Sequence, residues 1–314
     1  MSLEECLPAS LRGGETSITR VAAGLSGAGV YRVEAAGRTF VLKVAAATEP
    51  MDEWRRRAGI QERAAQAGLA PAIVHIDETR RALVSAFVVD RSLPMLFGNP
   101  ATRARAVGEL GGMLRRVHDL PLAPEAGARD LRQLLAEVWA GVRAGFAVPA
   151  FAGDVVGRVL AEPPPPSERP LVTSHNDVNP TNLVWDGERL LLVDWDAAGP
   201  NEPFYDLAAI AVFFRMDDET CKALLAAHDG AAPATLPARF AYDRRFVAAL
   251  CGTMFLHLAR LAGHGGAGGE ETLASTASLA EIHAAMRTGA LSVAAADGRW
   301  RFGLALLKES ASLT

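Results

Sequence analysis

The chain has 314 residues, half of them apolar and 22% charged, a composition that suits one large core or two modest ones and excludes a disordered polymer. Its formal net charge of −4 offers no basic field to a nucleic-acid backbone, so nucleic acid is not an expected partner. The three cysteines, Cys6, Cys221 and Cys251, are too scattered for a disulfide framework or a zinc motif.

No run approaches the roughly 18 apolar residues of a membrane span, and Glu4 and Glu5 stand where a signal peptide would carry lysines. A soluble, cytoplasmic protein without a membrane partner is the expectation. Nothing in the sequence speaks to its oligomeric state. The basic clusters Arg55-Arg56-Arg57 and Arg244-Arg245 read as solvated helix faces.

In chain order, strand signals come first. Residues 16–22 are β-prone, the glycine-rich stretch GLSGAG follows, residues 30–33 alternate, Ala36-Gly37 marks a turn, and residues 39–44 form another strand. A helix is expected over 52–67, closed by Gly68 and followed by Pro71. Two further strands are expected near 72–76 and 82–89. Beyond residue 99 the periodicity turns helical, as in 103–118, 130–145 and 239–261. The expected fold class is therefore α+β, with a small β-rich N-terminal lobe over 1–90 and a larger, mainly helical lobe over 91–314.

The richest segment, residues 171–207, reads LVTSHNDVNPTNLVWDGERLLLVDWDAAGPNEPFYDL. A short strand ends at Ser174, and a polar loop begins with His175-Asn176-Asp177. Asp186-Gly187 is a hairpin signal between a strand starting at Asn182 and a return strand over 190–193. Asn182 should then lie opposite residues 191–193, beside Asp194. His175 reads as a brace for the loop, His118 as the packed or capping end of its helix, and Asp206 as the opening of a helix over 207–214, either its N-cap or a second brace for the loop.

Phosphoryl transfer asks three things of such a cluster. Oxygen ligands must hold Mg²⁺ across nucleotide phosphates, and Asn182 and Asp194 are of that type. A carboxylate must orient a hydroxyl and take its proton, which suits Asp177. A cation must place the phosphates, and Lys43 in VLKV is the candidate. It follows the glycine-rich turn by about one strand pair, so backbone N–H groups there, at Ser26 and Gly27, could converge with its ammonium. Taken singly, GLSGAG is an ordinary turn and Lys43 an ordinary strand lysine. Their order and spacing with Asp177, Asn182 and Asp194 carry the reading.

H-x-D-x-x-x-x-N, Asp-Trp-Asp after the hairpin and the strand lysine together resemble the protein-kinase-like fold. HND and DWDAAGPNEPFYDLA resemble the choline/ethanolamine kinase branch of the aminoglycoside phosphotransferase superfamily, with GLSGAGVYRV, VLKV, GLAP and LRRVHDLPL extending the likeness over most of the chain. The resemblance implies an ATP- and Mg²⁺-dependent kinase of a small alcohol such as choline or ethanolamine, with its active site between two lobes. It implies Asp177 as catalytic base, Asn182 and Asp194 as magnesium ligands, Lys43 as a phosphate-binding residue, and Phe87 and Val88 as the adenine-contacting hinge.

Two positions depart from the family pattern. The helix glutamate that pairs with the lysine should fall near Arg57, leaving Glu53 or Glu62 as substitutes. Asp196 stands where many relatives have glutamate. An aminoglycoside, thiamine or another amino alcohol is the alternative acceptor, and a silent nucleotide-binding regulator the alternative class. A protein substrate is disfavoured, because no A-P-E segment follows Asp194. Aromatics for a cationic acceptor would come from Trp195, Phe204, Tyr205, Phe213, Phe214 and Tyr242, and acids from Asp217, Asp218 and Glu219.

Overall fold

A computed structural model describes residues 2–21, 28–91, 93–122 and 129–313. Five antiparallel strands, β1 (Ser17–Arg20), β2 (Gly29–Ala35), β3 (Arg38–Val44), β4 (Ile73–Asp77) and β5 (Ala82–Ala86), form one sheet in the order β1-β2-β3-β5-β4. Ala36 and Gly37 join β2 to β3 with φ of 50° and 70°, both left-handed, as a two-residue hairpin turn demands. β5 stops three residues short of the expected end. Its last pair is Ala86 with Phe40, and beyond it the Phe87 N–H donates to Thr39 O.

The pleat of β3 divides its side chains by face. Val33 lies opposite Phe40 and Leu42 opposite Val84, and these four are buried with Cys6, Leu7 and Leu11 of the N-terminal turns. The alternation that buries Phe40 and Leu42 sends Lys43 to the other face. After the strand comes α1 (Met51–Gln66), which ends in a Schellman motif. Gly68, at φ 69°, donates to Ala65 O, and Leu69 donates to Ala64 O and is fully buried.

The rest of the chain is mainly helical, so the α+β class expected from the sequence holds. It comprises α2 (Leu93–Gly98), α3 (Pro100–His118), α4 (Leu131–Arg143), α5 (Ala150–Ala161), α6 (Phe204–Phe213), α7 (Asp218–Asp229), α8 (Ala238–Leu261), α9 (Leu279–Arg287) and α10 (Ala296–Ser312). Between α5 and α6 lie four short strands, β6 (Val172–Ser174), β7 (Leu183–Trp185), β8 (Leu190–Leu192) and β9 (Gly199–Asn201). β6 pairs with β9 and β7 with β8, all antiparallel.

The chain divides into two compact units. One takes in Met1–Gly127, Leu171–Asn201 and Ala226–Gly230; the other takes in Ala128–Pro170, Glu202–Leu225 and Ala231–Thr314. In the first, α3 packs on β6 and β8, and α1 on the turn after β8. In the same unit His118 is buried at the end of α3, with its Nδ1 2.9 Å from His228 Nε2.

In the second unit, α8 packs against α4, α5, α6 and α10. Helices α8 and α10 approach so closely that a Cβ on Gly303 would lie 2.9 Å from Gly252 O. Gly303→Val should therefore destabilise the protein by about 1–3 kcal/mol through overpacking, read as a lower denaturation midpoint at unchanged slope.

Two expectations fail here. Helix α6 starts at Phe204, three residues early, because the Glu202 carboxylate accepts the Phe204 N–H at 2.7 Å and Pro203 takes the capping position. Asp206 is thus a fully buried first-turn residue and not an N-cap. The arginine clusters are not uniformly solvated either. Arg55 and Arg56 are exposed, but Arg57 and Arg244 are buried because each has a carboxylate to meet, Asp196 and Asp218 respectively. The acidic residues at 217–219 open α7, with Asp217 Oδ1 accepting the Thr220 N–H.

Candidate active site

β6 runs into the loop His175-Asn176-Asp177, and three side chains fix its path. His175 is fully buried, donates from Nε2 to Val193 O at 3.0 Å, and packs edge-on against the Trp195 ring. It has the bracing position expected of it. Asn176 holds φ at 62°, a left-handed conformation that asparagine tolerates better than most residues. Its amide donates to Ala197 O and Gly199 O and accepts from Asn201, which ties the loop to β9.

Asp177 follows, and two amides orient its carboxylate. Asn182 Nδ2 donates to Asp177 Oδ2 at 2.8 Å and to its backbone O at 2.8 Å, and Asn179 Nδ2 donates to Oδ1 at 3.2 Å. With its nitrogen committed twice, Asn182 has its amide oxygen left to offer a ligand.

The β7–β8 ribbon brings the next carboxylate round. Asp186 closes its turn by accepting from the Arg189 and Glu188 N–H groups, which hold its carboxyl below the usual carboxylate range. Leu183 pairs with Leu192, and Val193 N–H donates to Asn182 O at 2.9 Å, so Asn182 and Asp194 end the ribbon side by side as the hairpin spacing predicted. Asp194 then adopts φ 61° and ψ 65°, an uncommon state for a residue with a side chain, of the kind that clusters at functional sites. The conformation is held from behind by Trp195, which is fully buried with its Nε1–H on Leu192 O at 3.0 Å.

Lys43 reaches this corner from β3. Its ammonium lies 2.6 Å from Asp194 Oδ1 and 2.7 Å from Asp196 Oδ1, with only 14% of the side chain exposed. It is no surface lysine. Glu53 and Glu62, the two helix acids considered as its partners, are both exposed, and its carboxylates come from the turn after β8 instead. Arg57, on the buried face of α1, meets Asp196 Oδ1 at 2.7 Å and is gripped from behind by Glu49.

Phe87 and Val88 follow β5 directly; Phe87 is exposed, with the Arg32 guanidinium 5.1 Å from its ring centre. The stretch beyond is clasped to the ribbon, Trp185 N–H to Asp90 Oδ1 and Arg91 N–H to Trp185 O. Ser26 and Gly27 lie outside the described residues. Asn182 and Asp194 offer the hard oxygen donors that Mg²⁺ prefers. Among the described residues no cluster of three or more His, Cys, Asp or Glu could hold a metal by itself.

The aromatic residues considered for an acceptor are mostly core. Trp195, Phe204, Tyr205, Phe214 and Tyr242 are all buried; Phe204 meets Phe240 edge-on, and Tyr242 stacks on Phe246. Sequence reasoning missed Glu49, Arg57, Asn179 and Asn201. For Arg57 a signal was present, because it shares a helical face with the apolar Trp54, Ala58 and Ala64.

Comparison with known proteins gives a concordant result. The model of the phosphotransferase enzyme family matches residues 17–250. A crystal structure of a choline/ethanolamine kinase family protein from Mesorhizobium loti shares 20% identity over 96% of this chain and 92% of its own, at a TM-score of 0.57. A Plasmodium vivax ethanolamine kinase shares 12% identity over 94% and 81%, at 0.60. Spectinomycin phosphotransferase APH(9)-Ia, in complex with ADP and spectinomycin, shares 12% over 76% and 81%, at 0.53. No curated protein sequence matches. At such identities the likeness carries the fold, which is protein-kinase-like as the sequence suggested, and leaves the acceptor open.

Proposed function

Since this chain belongs to the phosphotransferase enzyme family, we propose that it is a small-molecule kinase passing the γ-phosphate of Mg·ATP to a hydroxyl of a small cationic amino alcohol of the choline or ethanolamine kind. The observation that carries the reading is the convergence of Lys43, Asp194, Asn182 and Asp177 within one compact unit. In this reading residues 1–90 are the nucleotide lobe and 91–314 the lobe that receives the acceptor.

Asp177, its carboxylate aimed by Asn179 and Asn182, orients the acceptor hydroxyl and takes its proton. Asn182 and Asp194 would hold Mg²⁺, which when bound would neutralise charge on the nucleotide phosphates. Lys43 places the α- and β-phosphates, and Ser26 and Gly27 are assigned to phosphate binding with it on the sequence alone. Phe87 and Val88 receive the adenine. Catalysis by such a site is chiefly positioning and charge stabilisation, since the transferred group needs little covalent help.

The engagement of Lys43 by two acids supports an active enzyme over a silent regulator. A net-negative chain favours a cationic or neutral acceptor over an anionic one. Five of the six candidate aromatic rings are buried and only Phe213 is half-buried. Carboxylates would therefore have to do most of the work of recognising the cation, which suits a primary ammonium better than a quaternary one. The three cysteines form no disulfide, and among the described residues no helix is long and apolar enough to cross a membrane, which fits a cytoplasmic enzyme.

The test is phosphorylation of ethanolamine, choline, thiamine, an aminoglycoside and a sugar phosphate at matched concentration. Ethanolamine is expected to be turned over best. A preference for the sugar phosphate would sink the charge argument, and ATP binding without transfer to any alcohol would return the silent-regulator reading.

A further inference from the structure

Lys43 has two carboxylate partners, and they are held very differently. Asp194 is 40% exposed and meets no other cation among the described ion pairs. Asp196 is drawn in from both sides, its Oδ1 lying 2.7 Å from Lys43 Nζ and 2.7 Å from Arg57 Nη1. The Arg57 side chain is only 9% exposed, and Glu49 fixes its far edge with two parallel bonds, Nε to Oε1 at 3.1 Å and Nη2 to Oε2 at 2.9 Å. Along Glu49, Arg57, Asp196, Lys43 and Asp194 the charges alternate, so each cation has a carboxylate on either side.

We propose that Arg57 and Asp196 form a positioning pair for Lys43: α1 carries Arg57, Arg57 sets the Asp196 carboxylate, and Asp196 sets the ammonium that meets phosphate. This rests on the reading of Lys43 as the phosphate cation. An ammonium on a flexible four-carbon stem is placed only as well as the acids it touches. Asp194 is also asked to serve as a metal ligand, and a carboxylate neutralised by a divalent cation holds an ammonium less strongly. Asp196 has in Arg57 a second, fixed partner that Asp194 lacks among the described ion pairs.

Its own position is set by the rigid, planar fork of a guanidinium, which fixes direction as well as distance where a lysine would fix distance alone. The helix therefore influences the lysine through a cation. An acid at position 57 is shorter than arginine, and it would take the guanidinium away from Asp196 and set a second carboxylate beside Glu49.

The competing account is a strut that merely ties α1 to the turn at Trp195–Ala197, against which it packs. The two separate by measuring nucleotide binding as well as stability, in the full chain. ADP affinity by calorimetry, with Mg²⁺ and with EDTA, is compared for wild type, Lys43→Met, Arg57→Met, Arg57→Lys, Asp196→Asn and the Arg57→Met/Asp196→Asn double variant. KM for ATP and kcat are taken with whichever acceptor is turned over, and melting temperatures are recorded throughout.

Arg57→Met is expected to weaken ADP binding in both conditions and to raise KM for ATP, by roughly tenfold to a hundredfold for a displaced contact. Arg57→Lys, which keeps the charge and loses the fork, should fall between it and wild type, and it covers the case in which Arg57→Met does not fold. The double variant should be no worse than Asp196→Asn alone, because the two residues act in series. Effects that multiply in the double variant, or a lowered melting temperature with wild-type ADP affinity, would overturn the pair. Wild-type ADP affinity in Lys43→Met would instead remove the underlying reading of Lys43.

Discussion

Asp177→Asn should leave a folded protein that binds Mg·ATP and turns over its acceptor ~10²–10⁴-fold more slowly, the range typical of losing a general base. The carboxylate accepts from two amide nitrogens, Asn182 on one oxygen and Asn179 on the other. The new side chain has the same shape but presents one donor where both neighbours donate, so one of these bonds is lost at a cost of about 1 kcal/mol. Nucleotide binding is spared, because Lys43 and Asp194 keep their own contacts. Asp177 is the only acid between β6 and β7, so no neighbour can stand in. Single-turnover and steady-state rates would check this, and a folded variant with near-normal rates would take the base assignment away from Asp177.

Lys43→Met should lower kcat/KM for ATP by ~10²–10³, as does the loss of one preorganised electrostatic contact elsewhere. The structure adds a second effect. One ammonium separates Asp194 from Asp196 at 2.6 and 2.7 Å, and its removal leaves two carboxylates facing each other with Arg57 on one side only. Repulsion between them should lower the melting temperature, and a divalent cation should restore part of the loss. The expected signature is a larger Mg²⁺-induced rise in melting temperature for the variant than for wild type. An identical Mg²⁺ response in the two proteins would take the metal-ligand role away from Asp194.

Much of the fold and of the candidate site was legible in the sequence, for identifiable reasons. Strand alternation and the Ala36-Gly37 turn marked β2 and β3, and the Asp186-Gly187 turn fixed the ribbon register that puts Asn182 beside Asp194. Each of these is a local signal. Arg57 was hidden because two exposed arginines precede it, and three basic residues in a row read as a solvated face. Glu49 precedes Pro50 at the entrance to α1, where no periodicity identifies it, and its partner Arg57 is eight residues on. β9 was missed because Gly-Pro-Asn carries loop signals, while its pairing with β6 is a contact between segments 25 or more residues apart. The acid that holds Lys43 was sought on the helix, where the family pattern puts it, and it lies 153 positions downstream of the lysine, at Asp196.

The salt link between α1 and the turn after β8 also bears on how this site could have diverged. Arginine at position 57 loses one of its two carboxylates if position 196 is not acidic, and an acid at 196 keeps only Lys43 if position 57 is not a cation. A relative that places a carboxylate on the helix to hold the lysine directly should therefore carry a residue other than aspartate at 196. Across descendants of a common ancestor the two positions should exchange together, and lineages caught with only one exchange should be rare. An alignment deep enough to compare the columns would show it as a correlated pair between residues 139 positions apart, stronger than the link of either to its sequence neighbours.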